Sequence, residues 1–147
     1  GFFQHGHTYL GHPVACAAGL AVLERLVDDD ILGLVEPAGA HLRQSLRSHL
    51  GQHPHVGDIR GVGLFCGVEL VADRATKEPF QSTAKLHAKI KAAAFSEGLI
   101  CYPMGGTIDG KSGDHVLLAP PFIAESDQLD AAVQKLARAI GVSIETA

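Results

Sequence analysis

Cysteine is scarce in this 147-residue sequence, and the three that occur, Cys16, Cys66 and Cys101, lie far apart. They are odd in number and form no CxxC pair, so neither a disulfide framework nor a zinc ribbon is indicated. A reducing, cytoplasmic environment is therefore the expected location.

Clustered positive charge is also missing. Twelve Lys and Arg face 16 Asp and Glu, the formal net charge is −4, and the two signs are interspersed along the chain. Because binding to nucleic-acid phosphates needs grouped Lys and Arg, we expect no nucleic-acid partner. No apolar run approaches the roughly 20 residues that span a bilayer, and the first residues do not resemble a signal peptide, so no membrane association is expected.

What the sequence has is the size of one domain, with a hydrophobic content of 46% that can fill a real core. It opens at GFFQHGHTY, with no initiator methionine and already inside a motif-like stretch. We therefore expect a fragment or a processed chain.

Two helices are predicted in the first third of the chain. Pro13 suits a first helical position, and residues 14–27 are apolar nearly all round, which predicts a helix that is buried or packed between two bodies and is interrupted at 28–30. Apolar residues recur every four positions over 34–50 and predict a second helix that stops at Gly51.

The pattern changes to period two between residues 59 and 70. Apolar residues share one face and glycines the other, which predicts a single strand with one thinned face against which a large body can pack. The apolar residues are Val62, Leu64, Cys66, Val68 and Leu70, and the glycines are Gly61, Gly63 and Gly67.

A third helix is predicted from a cap at Ser82 or Thr83 to a stop at Gly98. Residues 99–102 and 115–119 are short strand candidates around a glycine-rich loop.

A last helix is predicted from a cap at Ser126 to Gly141. The order of these elements indicates an α+β fold, in which helices cover one face of a small, mostly antiparallel sheet.

Four segments carry a resemblance to a known family. HGHTYLGHP, followed at once by an alanine-rich helix, resembles the segment that class III pyridoxal-phosphate-dependent aminotransferases have shortly after their Schiff-base lysine. Three further segments resemble the C-terminal domain of that family, in order and at fitting spacing. They are VGDIRGVGLFCGVELV (56–71), EGLICYP (97–103) and GDHVLLAPPFIAESDQLD (113–130).

The resemblance covers essentially the whole chain. It implies a fold-type I enzyme, a homodimer with active sites at the subunit interface, and pyridoxal 5'-phosphate as cofactor. It also implies a division of the chain into a remnant of the large cofactor-binding domain (1–12), a connecting helix (13–30) and the C-terminal small domain (31–147).

The resemblance further assigns roles to three neighbouring residues. Thr8 matches the threonine that binds the cofactor phosphate of the partner subunit, where a hydroxyl and nearby N–H groups serve a dianion without adding charge. His7 flanks that contact as a second cofactor-binding candidate, and Tyr9 borders the substrate pocket.

Tyr102 departs from the pattern of the family. Many ω-aminotransferases have at this position an arginine that grips the substrate carboxylate bidentately. The tyrosine puts carboxylate recognition there in doubt and favours amines or bulky amino donors as substrates. Lys111, in the following loop, could supply a cation instead, although a solvated loop lysine is the simpler interpretation.

No catalytic residue is expected in this chain. Enzymes of this type need a cofactor-binding lysine, an aspartate at the pyridine nitrogen and a stacking aromatic, and in the family all three precede the HGHTY segment. None of the six lysines has a family-like setting for a Schiff base. The parent enzyme is expected to move an amino group from an amine or ω-amino acid to an α-keto acid, and the chain alone to be inactive.

Other interpretations of the same residues stay open. His5, His7 and His12 could form a metal site, but no acidic residue accompanies them, and we expect no metal. Cys66 and Cys101 lie in apolar runs and are expected to be small core residues rather than nucleophiles. The parent could also be an aminomutase or decarboxylase of the same superfamily, or the chain a free-standing α+β binding or dimerisation module.

Overall fold

A computed structural model describes residues 1–146 of the chain. Its elements are helix α1 (Pro13–Asp28), helix α2 (Ile31–Leu50), strands β1 (Val56–Val62) and β2 (Phe65–Leu70), helix α3 (Leu86–Ser96), strands β3 (Tyr102–Gly105) and β4 (Asp114–Leu118), and helix α4 (Ser126–Glu145).

The four strands form one antiparallel sheet in the order β1-β2-β4-β3. Alternate residues of the central strands β2 and β4 are buried on one face, where they join α2, α3 and α4 in a single core. All the residues of this core lie between Ala38 and Ile144. The predicted α+β fold, an antiparallel sheet covered by helices on one face, is confirmed. The opposite face of the sheet, which we call the open face, carries half-buried and exposed side chains.

The prediction of a single strand over residues 59–70 was wrong, because the segment is a β-hairpin. Strand β1 ends at Val62, Gly63 and Leu64 form the turn, and Phe65 pairs back with Val62. Gly63 has a φ of +53°, a value that suits glycine in a tight turn. The turn interrupts the alternation, so Val62 is exposed while Cys66 is buried.

The ends of two helices also differ from the predictions. Residues 82–84 form a short 3₁₀ turn, and α3 begins only at Leu86, after Lys85 takes a left-handed conformation. Helix α4 does begin at Ser126, but its cap is Glu125, whose amide donates to Gln128 Oε1 at 3.0 Å.

Helix α1 begins at Pro13 as predicted but is not buried within this chain. None of its residues is buried, and Leu26 alone is half-buried. Ahead of it, Phe2 and Phe3 are 95% and 91% exposed. The expected packing of this helix between two bodies therefore needs a surface that residues 1–146 do not provide, and it stays a prediction.

We predict that the 147-residue chain self-associates through this exposed apolar helix, because burying such a surface releases its ordered water. Sedimentation velocity across a dilution series should show concentration-dependent oligomers. Leu23→Lys, which places a charge on α1, should shift the distribution towards monomer. A monomer at every concentration would contradict the prediction.

Candidate functional site

The segment that carries His7, Thr8 and Tyr9 is an exposed turn directly before α1. The Leu10 amide donates to the His7 carbonyl at 2.9 Å and the His12 amide donates to the Tyr9 carbonyl at 3.1 Å. His12 then caps α1, since its Nδ1 accepts from the Ala15 amide at 3.4 Å. These bonds fix the turn at the positive end of the helix dipole.

The donors of this turn fit a phosphate group. Within residues 1–146, the Thr8 hydroxyl and the amides of Thr8 and Tyr9 donate to no protein acceptor. The first acidic residue of the chain is Glu24, so no carboxylate in the turn repels an anion. A hydroxyl, free amides and a helix N-terminus together form a donor set that can bind the phosphate of pyridoxal phosphate.

Tyr102 lies at the start of the edge strand β3, on the open face, and its side chain is 60% exposed. It pairs with Leu117 of β4, which in turn pairs with Gly67 of β2. Phe65, Leu117 and Tyr102 line one shallow, mainly apolar cavity. This surface suits contact with an apolar group more than with a carboxylate.

Arg60 does not replace the missing arginine on this face. It lies on β1, and its Nη1 donates to Asp58 at 2.8 Å and to Glu69 at 2.7 Å. The hydrogen bond from Arg60 lowers the pKa of the Asp58 carboxyl, which keeps this carboxylate ionised and paired. Lys111 is exposed in the loop after β3, in agreement with the interpretation as a solvated loop lysine.

The structure brings some of the candidate residues together and leaves others apart. His7, Thr8 and Tyr9 share one turn, whereas Tyr102 belongs to the sheet, and no hydrogen bond within residues 1–146 joins the two places. The single chain therefore presents two separate surfaces that could contribute to an active site.

Sequence reasoning missed a buried carboxylate at the closed end of the β3–β4 hairpin. Asp114 is 5% exposed, and its Oδ1 accepts from the His87 amide at 3.1 Å and from His87 Nδ1 at 2.8 Å. Because a carboxylate only accepts, Nδ1 carries the ring proton. The contact joins residues 27 positions apart, so no local pattern in the sequence signals it.

The alternative chemistries find little support in the geometry. Burial raises the pKa of the Cys66 and Cys101 thiols, which disfavours the reactive thiolate. No three side chains able to ligate a metal come together in the part of the chain that the structure describes.

No helix within residues 1–146 has both the length and the hydropathy to cross a membrane.

The comparisons with known proteins agree with the resemblance seen in the motifs. The family model described as Aminotransferase class-III matches residues 2–140. An uncharacterized aminotransferase of Schizosaccharomyces pombe is 44% identical over 95% of this chain and 30% of its own length. An aminotransferase of Gibberella zeae is 39% identical over 98% of this chain and 28% of its own length.

A solved structure shares both fold and sequence. The thermostable (S)-enantioselective omega-transaminase from Thermomicrobium roseum superposes with a TM-score of 0.85 and 35% identity, over 98% of this chain and 30% of that one. The chain thus spans about 30% of the proteins that it matches, as their C-terminal segment. On this evidence the chain belongs to the class III aminotransferase family.

Proposed function

We propose that this chain is the C-terminal part of an aminotransferase that moves an amino group from an amine or ω-amino acid to an α-keto acid. The observation that carries the proposal is the turn at Thr8, whose hydroxyl and amides are exposed and have no protein acceptor within residues 1–146. In a chain of this family, such donors are suited to the phosphate of pyridoxal phosphate.

The division of the chain follows the same proposal. Residues 1–12 belong to the large cofactor-binding domain, 13–30 connect the domains, and 31–147 form the small domain. The position of the core between Ala38 and Ile144 supports this division. The exposed helix α1 supports contact with the large domain or with the partner subunit of a homodimer. We also propose a cytoplasmic location.

Each surface of the chain has a separate task. The Thr8 hydroxyl and the amides of Thr8 and Tyr9 donate to the cofactor phosphate of the partner subunit, and His7 stands beside them. Pyridoxal phosphate, when bound, supplies the carbonyl group that takes up the amino group. The lysine that binds the cofactor is proposed to come from a part of the enzyme outside these 147 residues, since all six lysines here are exposed or half-buried.

Tyr9 and Tyr102 are proposed to border the substrate. The Tyr102 ring lies beside Phe65 and Leu117 and offers one hydroxyl and an apolar surface where an arginine would offer charge. We therefore favour amines with bulky apolar groups as amino donors. The omega-transaminase from Thermomicrobium roseum is similar in fold and sequence, which supports an omega-transaminase activity for the complete enzyme.

Thr8→Ala should weaken cofactor binding in the complete enzyme by about 1.5–3 kcal/mol, because one hydrogen bond to a charged acceptor is lost. The dissociation constant for pyridoxal phosphate, measured by equilibrium dialysis, should rise correspondingly. Thr8→Ser keeps the hydroxyl and should bind nearly as the wild type does. Thr76→Ala, in an exposed turn after β2, is the matched control and should change nothing. Equal affinities for Thr8→Ala and wild type would refute the assignment.

A further inference from the structure

The side of the sheet on which Tyr102 lies depends on the register of β3. This edge strand has only four residues and pairs with β4 alone, from Tyr102 opposite Leu117 to Gly105 opposite Asp114. Successive side chains of a strand point to opposite faces, so a slip of one residue would turn Tyr102 away from the open face.

Little in the strand itself prevents such a slip. Pro103 has no amide hydrogen and so removes one donor from a short ladder. The loop 106–113 that joins β3 to β4 contains glycines with positive φ at 106, 110 and 113. Backbone hydrogen bonds from Thr107 to Gly113 and from Ile108 to Ser112 close this loop, so the contact at His87 acts together with the loop to hold the register.

The His87 ring occupies the space beside Gly105. A Cβ built at Gly105 would lie 2.5 Å from His87 Nδ1 and 2.7 Å from His87 Cε1. Both distances are too short for a Cβ and an atom to which it is not bonded. The ring cannot readily turn aside, because its Nδ1 donates to the buried Asp114 at 2.8 Å. Asp114 also accepts from the His87 amide, so both ring and backbone are held by one carboxylate.

We propose that His87 is a positioning residue that locks the register of β3 and thereby keeps Tyr102 on the substrate side. Only glycine fits against the ring, so the register that places Gly105 there is selected. A slip by one residue would bring Met104 or Gly106 to that place. The Met104 side chain is too large for that space, and Gly106 would have to leave the turn conformation that it adopts here, with a φ of +78°. The inference rests on the proposed function, since it takes Tyr102 as part of the substrate site.

The test is a double-mutant cycle of Gly105→Ala and His87→Ala in the complete enzyme. Gly105→Ala should raise the KM for the amino donor roughly tenfold with kcat little changed, because binding through Tyr102 is lost while the chemistry is not. His87→Ala should raise the KM similarly, because the ring that packs against Gly105 is removed. The double variant should show a smaller rise than either single variant, because the new methyl group fills the space that the ring has left.

Two features of this cycle distinguish control of the β3 register by His87 from a general loss of stability. If His87 served only the stability of the fold, the variants would have a lower melting temperature. The KM of the double variant would then not return towards the wild-type value. His49→Ala removes an exposed helix histidine and should leave KM unchanged. Additive rises in KM for the two single variants would overturn the proposal.

A structural measurement tests the register of β3 without relying on enzyme activity. In the wild type, NMR should show a nuclear Overhauser contact between the Tyr102 ring and the Leu117 methyl groups, which disappears in Gly105→Ala and returns in the double variant. If that pattern appears in an enzyme without aminotransferase activity, the proposed function fails and the lock stands. If the enzyme is active but the contact persists in Gly105→Ala, the lock is wrong. Should Gly105→Ala not fold, loss of the contact in His87→Ala supports the lock and its persistence refutes it.

Discussion

Gly39→Ala is expected to destabilise the fold by about 2–3 kcal/mol, because it forces an atom into a filled contact between helix and hairpin. A Cβ at Gly39 would lie 2.2 Å from the Gly63 carbonyl oxygen and 2.4 Å from its carbon. These are backbone atoms of the β1–β2 turn, and the same oxygen accepts from Arg43 Nη1 at 2.9 Å. To make room, α2 must move away from the turn or this hydrogen bond must break.

The same substitution at Gly141 is the matched control. Gly141 lies inside α4, and a Cβ there would meet nothing within 4 Å. Alanine should therefore stabilise this helix by about 0.5–1 kcal/mol, since it reduces the backbone entropy of the unfolded chain. Chemical denaturation, analysed for the free energy of unfolding, measures both effects. If the two variants lose stability equally, the close approach of α2 to the turn is wrong.

The contrast between these glycines shows what a linear pattern can predict. The spacing of leucines in α2 predicted the helix and its stop at Gly51, because amphipathic periodicity is a local property. It could not reveal that Gly39 contacts the turn at Gly63, since that contact depends on how the helix lies on the sheet. Gly63 itself was placed in a strand, because apolar residues occupy every second position of the sequence across the turn, from Val62 through Leu64 to Cys66, although the burial does not follow that period.

Helix α4 ran past its predicted end for a related reason. Gly141 resembles a stop signal, but Ile140 is fully buried, Ile144 packs against the core, and the buried Ser143 hydroxyl donates to the Ala139 carbonyl at 2.7 Å. Packing on both sides of the glycine outweighs its low helix propensity of about 1 kcal/mol. Tertiary contacts therefore decide where this helix ends.

The two surfaces proposed for the site were found from the sequence by family motifs, not by periodicity. Thr8 and Tyr102 are exposed, so neither belongs to a buried face that a pattern of apolar residues would reveal. His87 and Asp114 form the pair that is proposed to position Tyr102. No sequence motif marks this pair. Its members come together only because α3 packs against the β3–β4 hairpin.

Tyr102→Arg is expected to shift the substrate preference of the complete enzyme towards amino donors that carry a carboxylate. An arginine on the open face at this place would offer a planar pair of donors to an ω-amino acid. Hydrogen bonds to charged groups contribute about 1.5–3 kcal/mol, so the KM for such a donor should fall by roughly 10- to 100-fold. Steady-state kinetics with an ω-amino acid and with an amine of similar length that lacks the carboxylate measure the change.

Met104→Arg is the matched control for added charge, because Met104 lies on the same strand and the same face, two residues further along. If the effect depends on the position of Tyr102, Met104→Arg should leave both KM values close to those of the wild type. The amine without a carboxylate should bind Tyr102→Arg less well than the wild type, because charge replaces part of an apolar wall formed with Phe65 and Leu117. An equal change for both donors would mean that position 102 does not face the end of the substrate where the carboxylate lies.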